Sequence, residues 1–458
     1  MKFIADACGG EVRHGSPETL IQRACTDSRQ AQPDDIYFAL KGEKFDGHDF
    51  LGDVAAKGVS AVVVEKSKIE SLRSKIGCAM LVVDNVRAAL GKFAARYRQD
   101  FDLPVVAVGG SNGKTTTKEL LASVLNQKLN TLWSEASFNN DIGVPMSLLR
   151  LEKSHQAAVF EVGTNHPGEL AALVKLVQPK FGVITNIGRE HLEFFGDVAG
   201  VAHEEGWLAE LLPADGKLFI NGDSEWTEQI ARRTEAAVVR VGLNERNDWR
   251  ARKIRLDKNG ATFQVDAPQA EFNGEYRVNL LGRHQVVNAL FAVSVGEELG
   301  LGRPALRDGL ATCKPPKMRM NFWEANGVRV LEDCYNANAD STIAALETLC
   351  DLPLQGRRVA VLGDMGELGA HSEAAHREVG QRAAELGIGQ LFAVGKMAAI
   401  IAKAARVGGL ARVIEFNEVE AAVVAVRKFL KTGDVVLLKA SRTARLERIA
   451  ETLKFEKP

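Results

Sequence analysis

The stretch from Val105 to Thr117, VVAVGGSNGKTTT, leaves the chain around it little freedom. Four apolar, mostly β-branched residues read as a buried strand, Gly109 to Gly113 as a tight turn, and Lys114 with the threonines as the opening of a helix expected over Thr116 to about Leu129. Strand, glycine turn and helix start together form a cradle for phosphate. Small residues let backbone N–H groups face an anion, and the helix N-terminus adds its positive end. Lys114 reaches the terminal phosphates and Thr115 can ligate Mg²⁺. The strict P-loop pattern asks for glycine where Val108 stands, so only the shorter G-x-x-G-K-T is present, Gly110 to Thr115.

Length and composition set the frame for that cradle. A chain of 458 residues, 46% of them hydrophobic, has material for about three domains with packed cores. A formal net charge of −1 favours neither nucleic acid nor a membrane surface as partner. Six cysteines are scattered without a C-x-x-C pair, the pattern of a reduced compartment rather than of a disulfide scaffold or a zinc site. The N-terminus lacks the apolar core of a signal peptide, and no apolar run approaches the roughly 18 residues of a membrane span. A soluble, cytoplasmic, monomeric protein is expected.

The fold class expected is α/β in three domains. Residues 1–102 read as a small α/β domain with strands at 36–40, 61–64 and 81–83. Residues 103–313 read as a central P-loop domain on a parallel sheet, and 314–458 as a Rossmann-like, doubly wound domain of alternating strands and helices. Asp100–Pro104 and Lys314–Arg319 are the linkers between them. No G-x-G-x-x-G follows a strand of the third domain, so a dinucleotide cofactor is not indicated. In the central domain the runs 157–163 and 181–187 are further buried strands with polar ends. Ligands sit beyond the carboxyl ends of strands in a parallel sheet. This places Glu161, Asn186 and His191 near the phosphates, with Glu161 the acidic partner of Thr115 for Mg²⁺.

Several segments carry a resemblance that covers essentially the whole chain. They are Thr26–Arg29 (TDSR), Asp46–His48 (DGH), Gly110–Thr115 (GSNGKT), Ser137–Pro145 (SFNNDIGVP), Glu161–Asn165 (EVGTN), Thr185–Ile187 (TNI), Asp333–Asn338 (DCYNAN), Val361–Gly369 (VLGDMGELG) and Lys439–Arg442 (KASR). With these the chain resembles the Mur ligase family, and FNNDIGVP and YNAN are the most discriminating segments within it. The D-N-P-R signature of the ligases that add diaminopimelate or lysine is absent.

The resemblance implies an ATP-dependent amide ligase of peptidoglycan precursor synthesis. ATP would phosphorylate the terminal carboxylate of UDP-N-acetylmuramoyl-tripeptide, and the amine of D-alanyl-D-alanine would displace the phosphate. By the same resemblance Lys114, Glu161, His191 and Arg319 are the catalytic group. Gly110, Ser111, Asn112, Gly113, Lys114, Thr115, Thr116, Asn288, Arg319 and Asp333 hold ATP. Ser28, Arg29 and His48 hold the uridine nucleotide. Asn139, Asn140, Thr164 and Asn165 line the muramoyl-peptide side, and Tyr335, Asn336, Asn338, Ser441 and Arg442 face the peptide and the dipeptide. Magnesium falls to Thr115, Glu161, His191 and Glu205.

Glu205 enters through a departure. Family members commonly carry a lysine, carbamylated by CO₂, where this chain has Glu205 in Ala202–Trp207. Glutamate supplies a carboxylate on a shorter stem and is expected to replace the carbamate, directly or through water, with Glu204 the neighbouring candidate. Ala339 also replaces a usual proline, and Ala440 a usual glycine. A folylpolyglutamate-type ligase or a Mur-type ligase for another amino acid is the nearest alternative. A P-loop switch that hydrolyses nucleotide is the other, weakened by the lack of an N-K-x-D.

Overall fold

A computed structural model describes residues 1–69, 77–352 and 356–455. Three separate sheets organise them, each built from the β-branched runs that the sequence supplies. The first has five strands in the order Glu11–His14, Ala79–Val83, Ala61–Glu65, Asp35–Phe38 and Arg23–Cys25, with only the first pair antiparallel. Its inner strands are buried on both faces, as Val62–Val64 show, and so read as continuous apolar runs rather than alternating ones.

The central sheet has nine strands, and its middle holds the cradle. Val105–Gly109 lies between Ala157–Glu161 and Phe181–Ile184, parallel to both. All three therefore end on one edge, where Glu161 and the residues after Ile184 meet the glycine turn. The sheet runs on through Lys217–Asn221 and Ala237–Gly242 into an antiparallel extension, Trp249–Asp257, Gly260–Asp266 and Gly274–Val278. The helix after the turn spans Lys114–Leu125. It starts two residues earlier and stops four earlier than expected: Gly113 is already the N-cap, and after Asn126 the amides of Gln127 and Lys128 bond three residues back instead of four. The helix His284–Glu298, buried nearly throughout, packs against it.

The third sheet has six strands in the order Asn321–Ala325, Val328–Asp333, Val435–Lys439, Arg358–Gly363, Gln390–Val394 and Val413–Phe416, parallel after the first hairpin. Helices at Ala339–Asp351, Ser372–Glu385, Ala398–Val407 and Val419–Phe429 alternate with the strands, close to the positions expected. The α/β, three-domain reading holds. Short polar edge strands escaped it: Glu11–His14, Arg23–Cys25, Thr131–Trp133 and Asn321–Ala325.

His376 fixes the loop after Gly363. Its Nε2 accepts from the Met365 amide at 2.9 Å and its Nδ1 donates to Ser372 O at 2.7 Å, so the neutral ring is the form used. Burial lowers its pKa below the ordinary 6.5. The unfolded chain then binds the proton more readily, and stability is full above about pH 6.5 and falls as pH drops through it. Thermal melts from about pH 7.5 to about pH 5.5 should show Tm falling, and His376→Gln should flatten that dependence while costing about 1–3 kcal/mol at neutral pH.

Candidate active site

The glycine turn works only with glycine at two points. Gly110 has φ +107° and a Cβ there would meet Thr185 Oγ1 at 2.5 Å; Gly113 has φ +88° and a Cβ would meet Asn288 Oδ1 at 2.7 Å. The end of the neighbouring strand holds the turn in shape. Ser111 and Asn112 donate their amides to Asn186 O (2.9 Å) and Asn186 Oδ1 (2.6 Å), and Thr185 Oγ1 donates to Asn112 O at 2.7 Å.

Beyond the turn lies a cleft of about 360 Å³ between the central and third domains. From the central domain Ser111, Asn112, Gly113, Lys114, Thr115, Thr116, Asn139, Glu161, Asn165, His191 and Asn288 line it; from the far side come Arg319, Asp333, Tyr335, Asn336 and Asn338. Arg319 spans the gap. Its guanidinium lies 4.3 Å from the Tyr335 ring centroid and donates to Ser137 Oγ at 3.1 Å, and that hydroxyl is 3.2 Å from Thr115 Oγ1. Arg319 is flanked by Met318 and Met320, both left-handed at φ 58° and 50°. Asn338 Nδ2 donates to Asn112 Oδ1 at 3.0 Å while its Oδ1 caps the helix Ala339–Asp351. Asp333 is taken by Lys439, Nζ to Oδ2 2.7 Å, a cleft residue that the sequence reading quoted but gave no role.

The electrostatics centre on Lys114. Burial alone would discharge its ammonium, but Glu190, Glu205 and Glu161 around it outweigh that and raise its pKa. Glu161 is fully buried. Asn139 Nδ2 donates to its Oε1 at 2.8 Å, and its Oε2 is buried with no partner. An unpaired carboxylate oxygen in a cleft, close to a helix-start threonine, suits a divalent cation.

Other expected residues are engaged differently. Glu205 does not line the cleft. It lies under the turn, its Oε2 accepting from the Gly110 amide at 2.7 Å, and burial pushes its pKa up to about 7. Glu204 accepts from the amides of Gly168 and Leu170, at the start of the helix Glu169–Val177. His191 Nδ1 sits 2.5 Å from Glu367 Oε2 of the third domain, a contact that bridges the domains; burial lowers its pKa, but Glu367 and Glu190 outweigh it and raise it. Thr164 is spent on His166 O and Glu204, and Asn140 on the amides of Ile142 and Gly143.

Ser441 is buried, accepting from the Gly366 amide, and Arg442 is exposed beside Glu447. Ser28, Arg29 and His48 lie in the first domain, away from this cleft. Arg29 forks onto Asp27 and is exposed. His48 is buried, accepting from the Glu65 amide and donating to Asp46.

Three stretches match family descriptions. Residues 21–98 match the Mur ligase family catalytic domain, 108–296 the Mur ligase middle domain, and 318–442 the Mur ligase glutamate ligase domain. The chain belongs to the Mur ligase family. Among Mur ligases it is 36% identical over 458 residues to the UDP-N-acetylmuramoyl-tripeptide–D-alanyl-D-alanine ligase of Escherichia coli, covering 98% of this chain and 97% of that protein. The ligase of the same name from Bacillus subtilis is 32% identical, covering 99% and 98%. A crystal structure of MurF from Acinetobacter baumannii superposes with a TM-score of 0.90 at 34% identity over 99% of this chain and 98% of that one. A MurF ligase from Thermotoga maritima in complex with ADP gives 0.82 at 26%, covering 95% and 98%.

This Mur ligase closes its cleft with charge. Arg189 donates to Asp340 Oδ1 through Nε and Nη2, at 2.9 and 2.6 Å, and its Nη1 pairs with Glu378, joining the central and third domains. These groups are partly exposed, so the latch is worth about 1 kcal/mol, roughly fivefold in a domain equilibrium. Arg189→Ala should enlarge the radius of gyration of the ligand-free protein in small-angle scattering and raise KM for nucleotide.

Proposed function

We infer that the chain joins D-alanyl-D-alanine to UDP-N-acetylmuramoyl-tripeptide at the expense of ATP, in peptidoglycan precursor synthesis. The observation that carries the reading is the cleft itself. The phosphate turn of one domain faces Arg319, Tyr335 and Asn338 of another, in a chain alike over its whole length to ligases of that name. We take the working units as 1–102 for the uridine nucleotide, 103–313 for ATP and 314–458 for the incoming dipeptide.

Glu205 and Asn186 hold the amides of Gly110, Ser111 and Asn112, so the start of the helix Lys114–Leu125 is what receives the ATP phosphates. Lys114 from one side and Arg319 from the other neutralise charge as the γ-phosphoryl group passes to the peptide carboxylate, since two anions must meet. Thr115, Glu161 and His191 would hold magnesium, His191 through the ring nitrogen that Glu367 does not engage; the ion, when bound, would screen the phosphate oxygens. The dipeptide amine then attacks the acyl phosphate carbonyl, and phosphate leaves as the amide forms. Water would hydrolyse that acyl phosphate, which gives the Arg189 latch and the Arg319 bridge their purpose: they close the third domain over it. Asn139, Asn165, Asn336 and Asn338, which line the cleft, would position the peptide, and Asn288 and Asp333 the nucleoside.

Phosphate release from ATP, measured with each substrate omitted in turn, tests the reading. Release is expected only with the UDP-tripeptide and D-alanyl-D-alanine both present, and release from ATP alone would favour a nucleotide switch. Lys114→Ala should lower kcat/KM by about 10²–10³-fold, the scale of losing one charged donor to a developing anion.

A further inference from the structure

Glu190 is the buried carboxylate of this cleft that no step above uses. It sits in the loop after Phe181–Ile184, its side chain 7% exposed, with Oε1 3.0 Å from Lys114 Nζ. Its Oε2 lies 3.8 Å from His191 Nε2. Lys114 also donates to Gly110 O at 2.5 Å and to Ser111 O at 3.1 Å. An ammonium has three protons to donate, and these three acceptors take them all. Lys114 is therefore folded back onto its own turn, with nothing left to offer the open cleft.

A phosphate reaching Lys114 must replace one of those acceptors. The two carbonyls belong to the turn and are neutral; Glu190 is the partner that is charged like the phosphate and competes for the same ion pair. Once Lys114 turns to the phosphate, Glu190 is left buried, unpaired and close to a polyanion. Glu161 and Glu205 already face the same point, and His191 is held by Glu367. A buried carboxylate in that state is costly unless a cation joins it.

We propose that Glu190 is a positioning residue that holds Lys114 in the empty site and, on releasing it, makes nucleotide binding depend on a divalent cation. Glu190 stands in for the phosphate when the site is empty, and its freed carboxylate faces the cation that accompanies the nucleotide. This rests on the nucleotide reading of the cleft.

Calorimetric titration of ADP into the full chain, with Mg²⁺ and with EDTA, tests it on wild type and Glu190→Gln. The glutamine keeps the shape and the hydrogen-bond acceptor but removes the charge. Without metal the variant should bind ADP about 10-fold more tightly than wild type, the scale of one charge-assisted hydrogen bond. The gain in affinity on adding Mg²⁺ should shrink by about the same factor. Equal metal enhancement in the two proteins would overturn the proposal, as would weaker binding by the variant in EDTA. Should Glu190→Gln fail to fold, Glu190→Ala, which removes the carboxylate altogether, must move the same ratio in the same direction. If wild type binds no ADP under either condition, it is the nucleotide reading that fails.

Discussion

Lys114 brings one positive charge to a point faced by Glu161, Glu190 and Glu205, and the cleft is arranged around that imbalance. Lys114, Glu161 and Glu190 stand at or beyond the ends of three parallel neighbouring strands, so they converge whether or not a ligand is present, and Glu205 joins them from the helix Val198–Glu205. Convergence of like charges is unfavourable by itself. Here it is relieved by the ammonium, by the Gly110 amide on Glu205 and by Asn139 on Glu161. Two buried oxygens of these carboxylates keep no partner, Oε2 of Glu161 in the cleft and Oε1 of Glu205 beneath the turn, and the first faces the site where nucleotide and cation chemistry would occur.

The third domain answers that charge with its own. Arg319 reaches Ser137, Arg189 is received by Asp340 and Glu378, and His191 is received by Glu367. Each of these contacts joins residues far apart in sequence, so the cleft exists only when the two domains are seated. Lys118 supports the arrangement from below. It is fully buried, and its Nζ donates to Ser134 O and Ala136 O, fixing the bend that presents Ser137.

Much of this was legible in the residues, for definite reasons. The inner strands are buried on both faces, and unbroken runs such as Val105–Val108 announce themselves. Glycines at 110 and 113 mark a backbone that side chains would block. Trp249–Asp257 was missed because it alternates arginine and apolar residues with one face half-solvated; its arginines are neutralised by Asp266 on the next strand and Glu275 on the one beyond, which one segment alone does not reveal. Glu190 was passed over because a charged loop residue is usually solvated. The argument that singled out His191, a polar group just past a strand end, applies to its neighbour equally. Glu205 was reached only through the resemblance, as a carboxylate standing where relatives carry a carbamylated lysine. Its aim, upward to the cleft or onto the Gly110 amide, depends on a helix packing that no local pattern encodes.

The left-handed methionines on either side of Arg319 bear on how this joint tolerates change. An L-residue in that region costs roughly 1–2 kcal/mol. Glycine would remove the strain yet give back about 0.4–1 kcal/mol through a freer unfolded chain. For the backbone alone these two terms nearly cancel. Met320 is also buried in a core of the third domain and Met318 is packed against another, so truncating either loses packing as well. Drift at these two positions therefore registers twice, in heat resistance and in the alignment of Arg319 across the cleft.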